Sequence, residues 1–273
     1  MPRTRSRSTN TPPKFAIVAI ACLSVALVAA IVYGAARSTP VVSNDAGRPA
    51  TATSNDWTVP NEPLPGSDVG LPPLPLVAPG EEVVFFGDSW VGGHGVPSGA
   101  GFAQIVGIHL RARTTIDSAS NTGYVSAGAS GAGTYQQRLR AQRVNPQAKL
   151  VVLQGSLSDI DGSDLGHAAV GTIRLAKQQF PNARLVVLGP IVNRAQIYDR
   201  SGAMNSQIAW AARKEGAYVI NPYARRWITD RTVDNYIDPT TRQPTVAGHR
   251  YLGIKMIEAL SDFFDNGQPP KGS

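Results

Sequence analysis

Four short polar segments of the sequence contain the residue types that could carry out chemistry. They are Gly87–Trp90, Ser120–Tyr124, Gln154–Asp159 and Gln243–His249. Serine hydroxyls, present in the first three segments, can act as nucleophiles when a base lies beside them, and histidine is the usual base. The sequence holds no phosphate-binding glycine loop, no carboxylate pair at glycosidase spacing and no histidine-rich metal cluster. We therefore expect neither a cofactor nor a metal.

The elements that must position these segments alternate along the chain. Continuous apolar runs of this length are typical of strands covered on both faces. The runs are Val83–Phe86, Thr114–Ile116, Leu150–Leu153, Leu185–Leu188 and Tyr218–Ile220. Helical patterns lie at about 101–112, 134–142, 164–179, 202–215 and 245–265. Five such units predict an α/β fold with three α/β/α layers around a parallel sheet.

The polar segments lie where the ends of strands should meet. In open parallel sheets the ligand crevice lies at the carboxyl ends of the strands. Three of the segments follow predicted strands, and the fourth leads into the last helix. The sequence therefore predicts that Ser89, Ser158 and Gln243 converge at one end of the sheet. Asp88 and Asp159, also at strand ends, are expected to accept hydrogen bonds from loop backbones.

In order, the four segments resemble the sequence blocks of the SGNH or GDSL hydrolases, serine esterases with a flavodoxin-like five-stranded α/β/α sheet. Gly-Asp-Ser-Trp is similar to the nucleophile block Gly-Asp-Ser-x, and Asn-Thr-Gly-Tyr to the oxyanion block Gly-Gly-Thr-Gly-Tyr. Gln-Gly-Ser-Leu-Ser-Asp is similar to Gln-Gly-Gly-x-Asn-Asp, and Gln-Pro-Thr-Val-Ala-Gly-His to His-Pro-Thr-x-x-Gly-His. The resemblance extends from about Val83 to Phe264 and makes Ser89 the nucleophile position.

The base that such a nucleophile needs is missing from its expected position. By the resemblance, the catalytic histidine position falls on Gln243, and the position of its supporting aspartate falls on Thr240. Glutamine cannot take up and return a proton near neutral pH. The sequence therefore predicts a degenerate active site with slow or absent catalysis.

The oxyanion hole also departs from the family pattern. Its asparagine position falls on Ser158, and its glycine falls on Asn121 or, in another register, on Gly123. Loss of one oxyanion donor typically lowers turnover by about 10²–10³. The substitutions thus affect two separate parts of the expected catalytic machinery.

Another histidine could replace the missing base. His94 lies in a Gly-Gly-His-Gly loop five residues after Ser89, and His249 matches a second family histidine on the last helix. Of these two we favour His94 because its loop is predicted to lie beside the crevice. An active serine esterase or acyltransferase using such a substitute base is the alternative to a slow or non-catalytic protein.

The region before the globular domain has the pattern of a membrane anchor and a tether. Residues 15–36 are 22 residues without a charge, which at about 1.5 Å per residue could cross a bilayer. The basic tail 1–14 predicts a cytoplasmic N-terminus and an extracytoplasmic C-terminal domain. Cleavage of a signal peptide near Ala36, giving a secreted protein, is the alternative. A proline-rich linker at 37–80, the hydrolase-like domain at 81–265 and a tail at 266–273 complete the predicted organisation.

The net charge of +7 does not indicate a nucleic-acid partner. Residues 1–37 hold five basic residues and no acidic one, and the remainder has 21 basic against 19 acidic residues. A nearly neutral domain lacks the basic surface that nucleic acids need.

The expected partners are the membrane, through the N-terminal helix, and an acylated glycan or lipid of the cell envelope. A further alternative is an envelope module that binds a ligand or another protein. The sequence has 20 arginines and 6 lysines, a composition that suggests an actinobacterial or phage source.

Overall fold

A computed structural model of the protein describes residues 71, 77–129 and 131–266. The predicted tail 1–14, membrane segment 15–36, nearly all of the linker 37–80 and the last seven residues lie outside the described residues. Among the residues that are described, no helix is long and apolar enough to span a membrane.

Five parallel strands form a single sheet. They are β1 (Glu82–Gly87), β2 (Arg113–Ser118), β3 (Ala148–Gln154), β4 (Arg184–Leu188) and β5 (Tyr218–Ile220). Their order across the sheet is β2-β1-β3-β4-β5, with Phe85 of β1 in register with Ile116 of β2 and Val152 of β3. The predicted parallel five-stranded sheet is confirmed.

In the described part of the chain, five α-helices connect and follow the strands. They are α1 (Phe102–His109), α2 (Tyr135–Ala141), α3 (Leu165–Gln179), α4 (Tyr198–Lys214) and α5 (Val246–Asn266). Short 3₁₀ turns occur at Leu157–Asp159, Ala195–Ile197 and Val233–Asn235. Helix α4 begins at Tyr198 rather than near residue 202, because the turn at Ala195–Ile197 leads directly into it.

Alternate side chains of β1 face two separate cores. Val83 and Phe85 pack in the core that includes α1 and α5, whereas Val84 and Phe86 pack in the core that includes α2, α3 and α4. All six residues of β1 are buried, as expected for a strand covered on both faces. The helices therefore form one layer on each side of the sheet, which confirms the predicted α/β/α architecture.

Helix α2 begins at a capping box that determines which of its residues face the sheet. The Thr134 hydroxyl accepts a hydrogen bond from Gln137 N at 3.4 Å, and the Gln137 side chain accepts one from Thr134 N at 2.7 Å. Tyr135, Arg138 and Leu139 then form the buried stripe of the helix. Arg138 is thereby directed toward the sheet, below the ends of β1 and β2.

Candidate active site

A cavity of about 150 Å³ lies at the carboxyl ends of β1, β3 and β4. Polar side chains dominate its lining. The lining residues are Asp88, Ser89, Trp90, Asn121, Gln154, Gly155, Leu157, Ser158, Ile191, Asn193, Thr241, Arg242 and Gln243. Because all strands are parallel, the loops that follow them meet at this edge of the sheet, where ligands bind in open α/β folds.

The structure brings together four of the predicted site residues. Ser89, Asn121, Ser158 and Gln243 all line the cavity. The remaining four lie outside the described lining of this cavity, and they are Gly123, Thr240, His94 and His249. The assigned roles of all eight residues stay predictions.

Ser89 is hydrogen-bonded to the residue at the predicted histidine position. Its Oγ donates to Gln243 Oε1 at 3.4 Å. Ser89 is 9% exposed, and Gln243 is half-buried. An amide oxygen accepts this hydrogen bond but does not take the proton near neutral pH. The contact orients the hydroxyl without activating it.

A tight loop holds Gln243 beside the serine. Asp238 N donates to Gln243 O at 2.9 Å, and Ile237 pairs with Pro244 in an antiparallel bridge. Arg242 completes the turn in the left-handed region, with φ of 59°. The loop therefore returns on itself immediately before α5, which places the glutamine side chain at the cavity.

The carboxylate that closes this loop belongs to Asp238 rather than to residue 240. Asp238 Oδ1 accepts hydrogen bonds from Thr241 N at 2.7 Å, Thr240 N at 2.9 Å and Thr241 Oγ1 at 3.1 Å. The hydrogen bonds from Thr241 and Thr240 hold the pKa of Asp238 below its usual value. Thr240 itself is exposed. Position 240 therefore contributes its backbone N–H, and not its side chain, to the closure of this loop.

Of the two registers considered for the oxyanion glycine, Asn121 is the one at the cavity. Asn121 has φ of 58°, a left-handed conformation that suits glycine or asparagine. Gly123 N instead donates to Ser126 O at 2.8 Å. A Cβ on Gly123 would lie 2.2 Å from Asp159 Oδ1, so this glycine serves close packing against the carboxylate.

Asp159 anchors the segment that carries Asn121. Its carboxylate accepts hydrogen bonds from the backbone N–H groups of Tyr124, Val125 and Ser126 at 2.8, 3.1 and 2.9 Å. Burial raises the pKa of Asp159, against the opposing effect of these three donors. The expected role of Asp159 as an acceptor for loop backbones is what the structure shows.

Asp88 connects the serine segment to the end of β3. Its Oδ1 accepts a hydrogen bond from Trp90 N at 2.9 Å, and its Oδ2 accepts one from Ser156 Oγ at 2.6 Å. Ser156 Oγ in turn accepts a hydrogen bond from Ser158 N at 3.1 Å. Burial raises the pKa of Asp88 to about 6. This chain of hydrogen bonds connects the segment that carries Ser89 to the segment that carries Ser158.

The two candidate substitute bases have different surroundings. His94 is exposed, and its backbone N–H donates to Ser89 O at 3.0 Å. A Cβ on the adjacent Gly95 would lie 3.8 Å from Gln243 Cβ, so the loop passes beside the cavity. His249 is fully buried, where its Nδ1 accepts a hydrogen bond from Phe102 N at 3.2 Å. Its ring stacks on Phe102, and the structure thus uses it to join α5 to α1.

The buried histidine should make the stability of the fold sensitive to acid. Burial lowers the pKa of His249 from 6.5 to about 4. Between these values the unfolded chain binds a proton that the folded chain does not, so stability falls as the pH falls. Asp88 acts in the opposite direction, since its raised pKa of about 6 lets the folded chain bind a proton first.

Comparison with His249→Asn separates the two effects, because the Asp88 contribution is common to both proteins. From pH 7 to pH 4.5 the wild type should lose about 2–3 kcal/mol more unfolding free energy than the variant. Urea denaturation at both pH values measures this difference. If the unfolding free energies of the wild type and His249→Asn change equally with pH, His249 does not stay neutral in the folded chain.

Arg138 is a site-supporting residue that the sequence analysis missed. Its side chain is 8% exposed, and its Nη1 donates at 2.8 Å to both Gly87 O and Thr122 Oγ1. Its Nη2 pairs with Asp117, and the guanidinium lies 4.2 Å from the ring centroid of Phe86. The available signal was its place three residues after Tyr135 on an apolar helical stripe.

The comparisons with known proteins agree with the fold described above. No family model matches the chain. A GDSL lipase of Mycobacterium tuberculosis is 31% identical over 134 residues, which cover 47% of this chain and 57% of the lipase. The match therefore spans little more than half the length of that relative.

Solved structures show the same fold. A member of the lipolytic G-D-S-L family from Veillonella parvula has a TM-score of 0.51 and 19% identity, covering 65% of this chain and 96% of that chain. A carbohydrate esterase family 2 enzyme with a carbohydrate binding domain, from Corynascus thermopiles, has a TM-score of 0.52 and 15% identity. It covers 68% of this chain and 67% of that chain. The fold is that of the SGNH/GDSL hydrolases, as predicted. In sequence, the chain is similar to the mycobacterial GDSL lipase.

Proposed function

We propose that this chain is an SGNH-type domain that binds acyl esters of cell-envelope glycans or lipids and hydrolyses them slowly or not at all. The observation that supports this proposal is the hydrogen bond of Ser89 Oγ to the Gln243 amide oxygen at 3.4 Å. In a serine hydrolase a base at this place removes the hydroxyl proton as the nucleophile attacks. Gln243 can only orient the hydroxyl.

The expected loss of rate is large. Removal of the histidine from a serine triad lowers turnover by about 10⁶, and the oxyanion hole and binding alone retain about 10³–10⁴ over water. Here the oxyanion positions carry Ser158 and Asn121. Ser158 has a hydroxyl in place of the asparagine amide, and its backbone N–H is already hydrogen-bonded to Ser156 Oγ at 3.1 Å. These features favour binding over efficient hydrolysis.

The acyl-ester part of the proposal comes from the similar proteins. The mycobacterial relative is named a lipase, and the Corynascus structure is titled a carbohydrate esterase. Both names describe enzymes that act on esters, of lipids in one case and of carbohydrates in the other. The proposal is supported by the shared fold and by the place of Ser89 in the lining of a cavity.

An esterase assay on the full chain tests the proposal. Hydrolysis of p-nitrophenyl acetate by the wild type should lie close to background, and Ser89→Ala should change it little, because Ser89 has no base. Ser206→Ala, in α4 and outside the cavity lining, is the matched control. Robust turnover that Ser89→Ala abolishes would contradict slow catalysis.

That contrary result would identify an active esterase with a substitute base. His94 is the favoured candidate because its backbone contacts Ser89 O and its loop passes beside Gln243. His94→Ala should then lower turnover far more than His249→Ala, whose ring is buried against Phe102. If neither substitution lowers the rate, neither histidine serves as the base.

The cellular part of the proposal is a membrane-tethered, extracytoplasmic domain. It rests on the uncharged stretch 15–36 and the basic residues before it. Protease added to intact spheroplasts should degrade the C-terminal domain while a cytoplasmic marker stays intact. Full protection of the domain from the protease would contradict the predicted orientation. A mature chain that begins near Arg37 would replace the anchor with a cleaved signal peptide.

A further inference from the structure

Positive charge is concentrated at one edge of the domain, at the opposite end of the sheet from the cavity. The strands are parallel and the helices run back between them, so the segments that lead from a helix into the next strand meet at this edge. These segments are 109–113, 140–149, 177–184 and 213–217. They hold nine lysines and arginines, eight of which are exposed, and one acidic residue, Glu215. We call this surface the amino edge.

The other end of the sheet has no such excess of positive charge. The segments that follow the strands there are 88–101, 119–134, 155–164, 189–197 and 221–245. Together they hold five basic and seven acidic residues. The nearly neutral total charge of the domain therefore conceals a separation of charge between its two ends.

Hydrogen bonds join the segments of the amino edge into one surface. Asn145 N donates to Gln179 O at 2.7 Å, and the Asn145 side chain donates to Glu82 Oε2 at 3.2 Å. Gly80 N donates to Arg111 O at 2.9 Å. These bonds connect the entry to β1 with the segments that precede β2, β3 and β4. The charges of those segments therefore act together on a partner.

Much of the positive charge at the amino edge is not neutralised within the protein. Four exposed members form no ion pair in the described part of the chain, and they are Arg111, Arg143, Lys149 and Arg184. Nearby acidic side chains already have cationic partners, since Glu82 pairs with Arg113 at 3.2 Å and Glu215 with Arg174 at 2.7 Å. The edge thus presents a net positive surface to an anionic partner.

Two apolar side chains stand among these basic residues. Ile108, in the last turn of α1, is 71% exposed, and Val144, between α2 and β3, is 57% exposed. They are the two most exposed large apolar residues in the part of the chain that the structure describes. Basic side chains around exposed apolar ones are typical of surfaces that lie on lipid, where charge meets the headgroups and the apolar groups enter the boundary below them. A nucleic acid would leave both apolar side chains in water.

We infer that the amino edge lies on the surface of an anionic phospholipid bilayer and holds the cavity on the side away from the lipid. The chain enters β1 at this same edge, so the predicted membrane segment 15–36 is joined to the domain on its basic side. The seven residues of β3 then separate the cavity from the lipid surface by roughly 20 Å. This inference rests on the cellular part of the proposed function, a membrane-tethered domain, and adds the orientation of that domain.

Fluorescence quenching of the full chain in lipid vesicles tests which end of the domain contacts the bilayer. Cys22 is the only cysteine, so a nitrobenzoxadiazole label can be attached in a Cys22→Ser background. Val144→Cys places it on the amino edge, and Gln196→Cys places it at an exposed position at the cavity end. The vesicles contain phosphatidylcholine alone or with one-third phosphatidylglycerol, each with a nitroxide lipid. Quenching of the Val144 label should be about twofold or more stronger in the anionic vesicles, and that of the Gln196 label equally weak in both.

Salt and charge reversal connect the quenching to the basic residues. Concentrated sodium chloride should remove the additional quenching, because it screens exposed charges. Lys149→Glu with Arg184→Glu should remove it as well. Arg194→Glu with Arg231→Glu is the matched control, because it makes the same change of charge at exposed positions of the cavity end, and it should keep the quenching. If the first pair does not fold, Arg111→Glu with Arg143→Glu, both outside helices and strands, repeats the test.

The inference is overturned by equal quenching of the Val144 label in neutral and anionic vesicles, by equal quenching of the two labels, or by undiminished quenching in the folded charge-reversal variants. Tighter binding of a DNA duplex than of anionic vesicles, lost in the same variants, would assign the edge to nucleic acid and overturn it too. Failure of the anchor is distinguishable, because a chain without one does not float with neutral vesicles. Salt-sensitive flotation with anionic vesicles, lost in Lys149→Glu with Arg184→Glu, would then support the amino edge by itself.

Discussion

Gln243→His should raise the hydrolysis of p-nitrophenyl acetate by about 10- to 100-fold over the wild type. A positioned general base contributes about 10²–10⁴, and the lower part of that range is expected because the new imidazole lacks a carboxylate orienter. Glutamine and histidine extend a nitrogen or oxygen to a similar distance from Cα. The present contact of 3.4 Å with Ser89 Oγ therefore places an imidazole nitrogen beside the hydroxyl.

The gain must depend on the serine and on the ionisation of the imidazole. Adding Ser89→Ala to the variant should return turnover to background. The rate should rise with pH through the imidazole pKa, which is near 6.5 when unperturbed, because only the neutral ring accepts a proton. Gln196→His, at an exposed position in the turn before α4, is the matched control and should give no gain.

Two further substitutions address separate deficits in the same background. Thr240→Asp should raise the rate of Gln243→His again if the new carboxylate reaches the imidazole and fixes its tautomer. Ser158→Asn should act on the developing oxyanion instead, with a gain of up to about 10²–10³. Kinetic parameters for the single and combined variants measure both effects. A Gln243→His protein that folds and stays at background would show that the missing base is not the main deficit.

The sheet was predictable because its signal is local and redundant. The apolar runs at Val83–Phe86 and Leu150–Leu153 are buried on both faces, so they lack the alternation of an exposed strand and mark the centre of the sheet. The start of α4 was less predictable, since the polar residues near Tyr198 carry no apolar periodicity. The turn that precedes the helix sets that boundary.

The site was predictable only as far as strand ends determine it. Ser89, Ser158 and Gln243 line one cavity because parallel strands deliver their following loops to one edge. The places of Thr240 and Gly123 depend on hydrogen bonds to Asp238 and Ser126, which join residues within loops. A match of sequence blocks assigns positions along the chain, but such loop closures decide which side chains reach the cavity.

Contacts between distant residues left no comparable signal. Asp88 and Ser156 are 68 residues apart, and Arg138 and Gly87 are 51 residues apart. Neither pair shares a motif or a helical or strand period, so the pairing becomes visible only when the fold is known. These contacts hold the ends of β1 and β3 in place and therefore belong to the site as much as the residues that line it.

Arg138→Met should lower the free energy of unfolding by about 3 kcal/mol or more. The substitution keeps an unbranched side chain but removes every donor from a buried position, and it takes one hydrogen-bond partner from each of Asp117, Gly87 O and Thr122 Oγ1. Removing one member of a buried ion pair typically costs about 3–5 kcal/mol, and the partial exposure of Asp117 places the expectation at the lower end. Guanidinium or urea denaturation measures the loss.

Arg140→Met is the matched control, because this arginine is exposed on the same helix and donates a hydrogen bond to the Gln136 side chain one turn away. It should change stability by less than about 0.5 kcal/mol. Arg138→Lys should recover part of the loss, since an ammonium keeps the charge but cannot donate from a planar fork to three groups at once. Equal stability of Arg138→Met and Arg140→Met would show that the network does not stabilise the fold.

In the Gln243→His background, Arg138→Lys should also lower turnover, because Gly87 O lies two residues before the nucleophile and its position directs Ser89 toward the cavity.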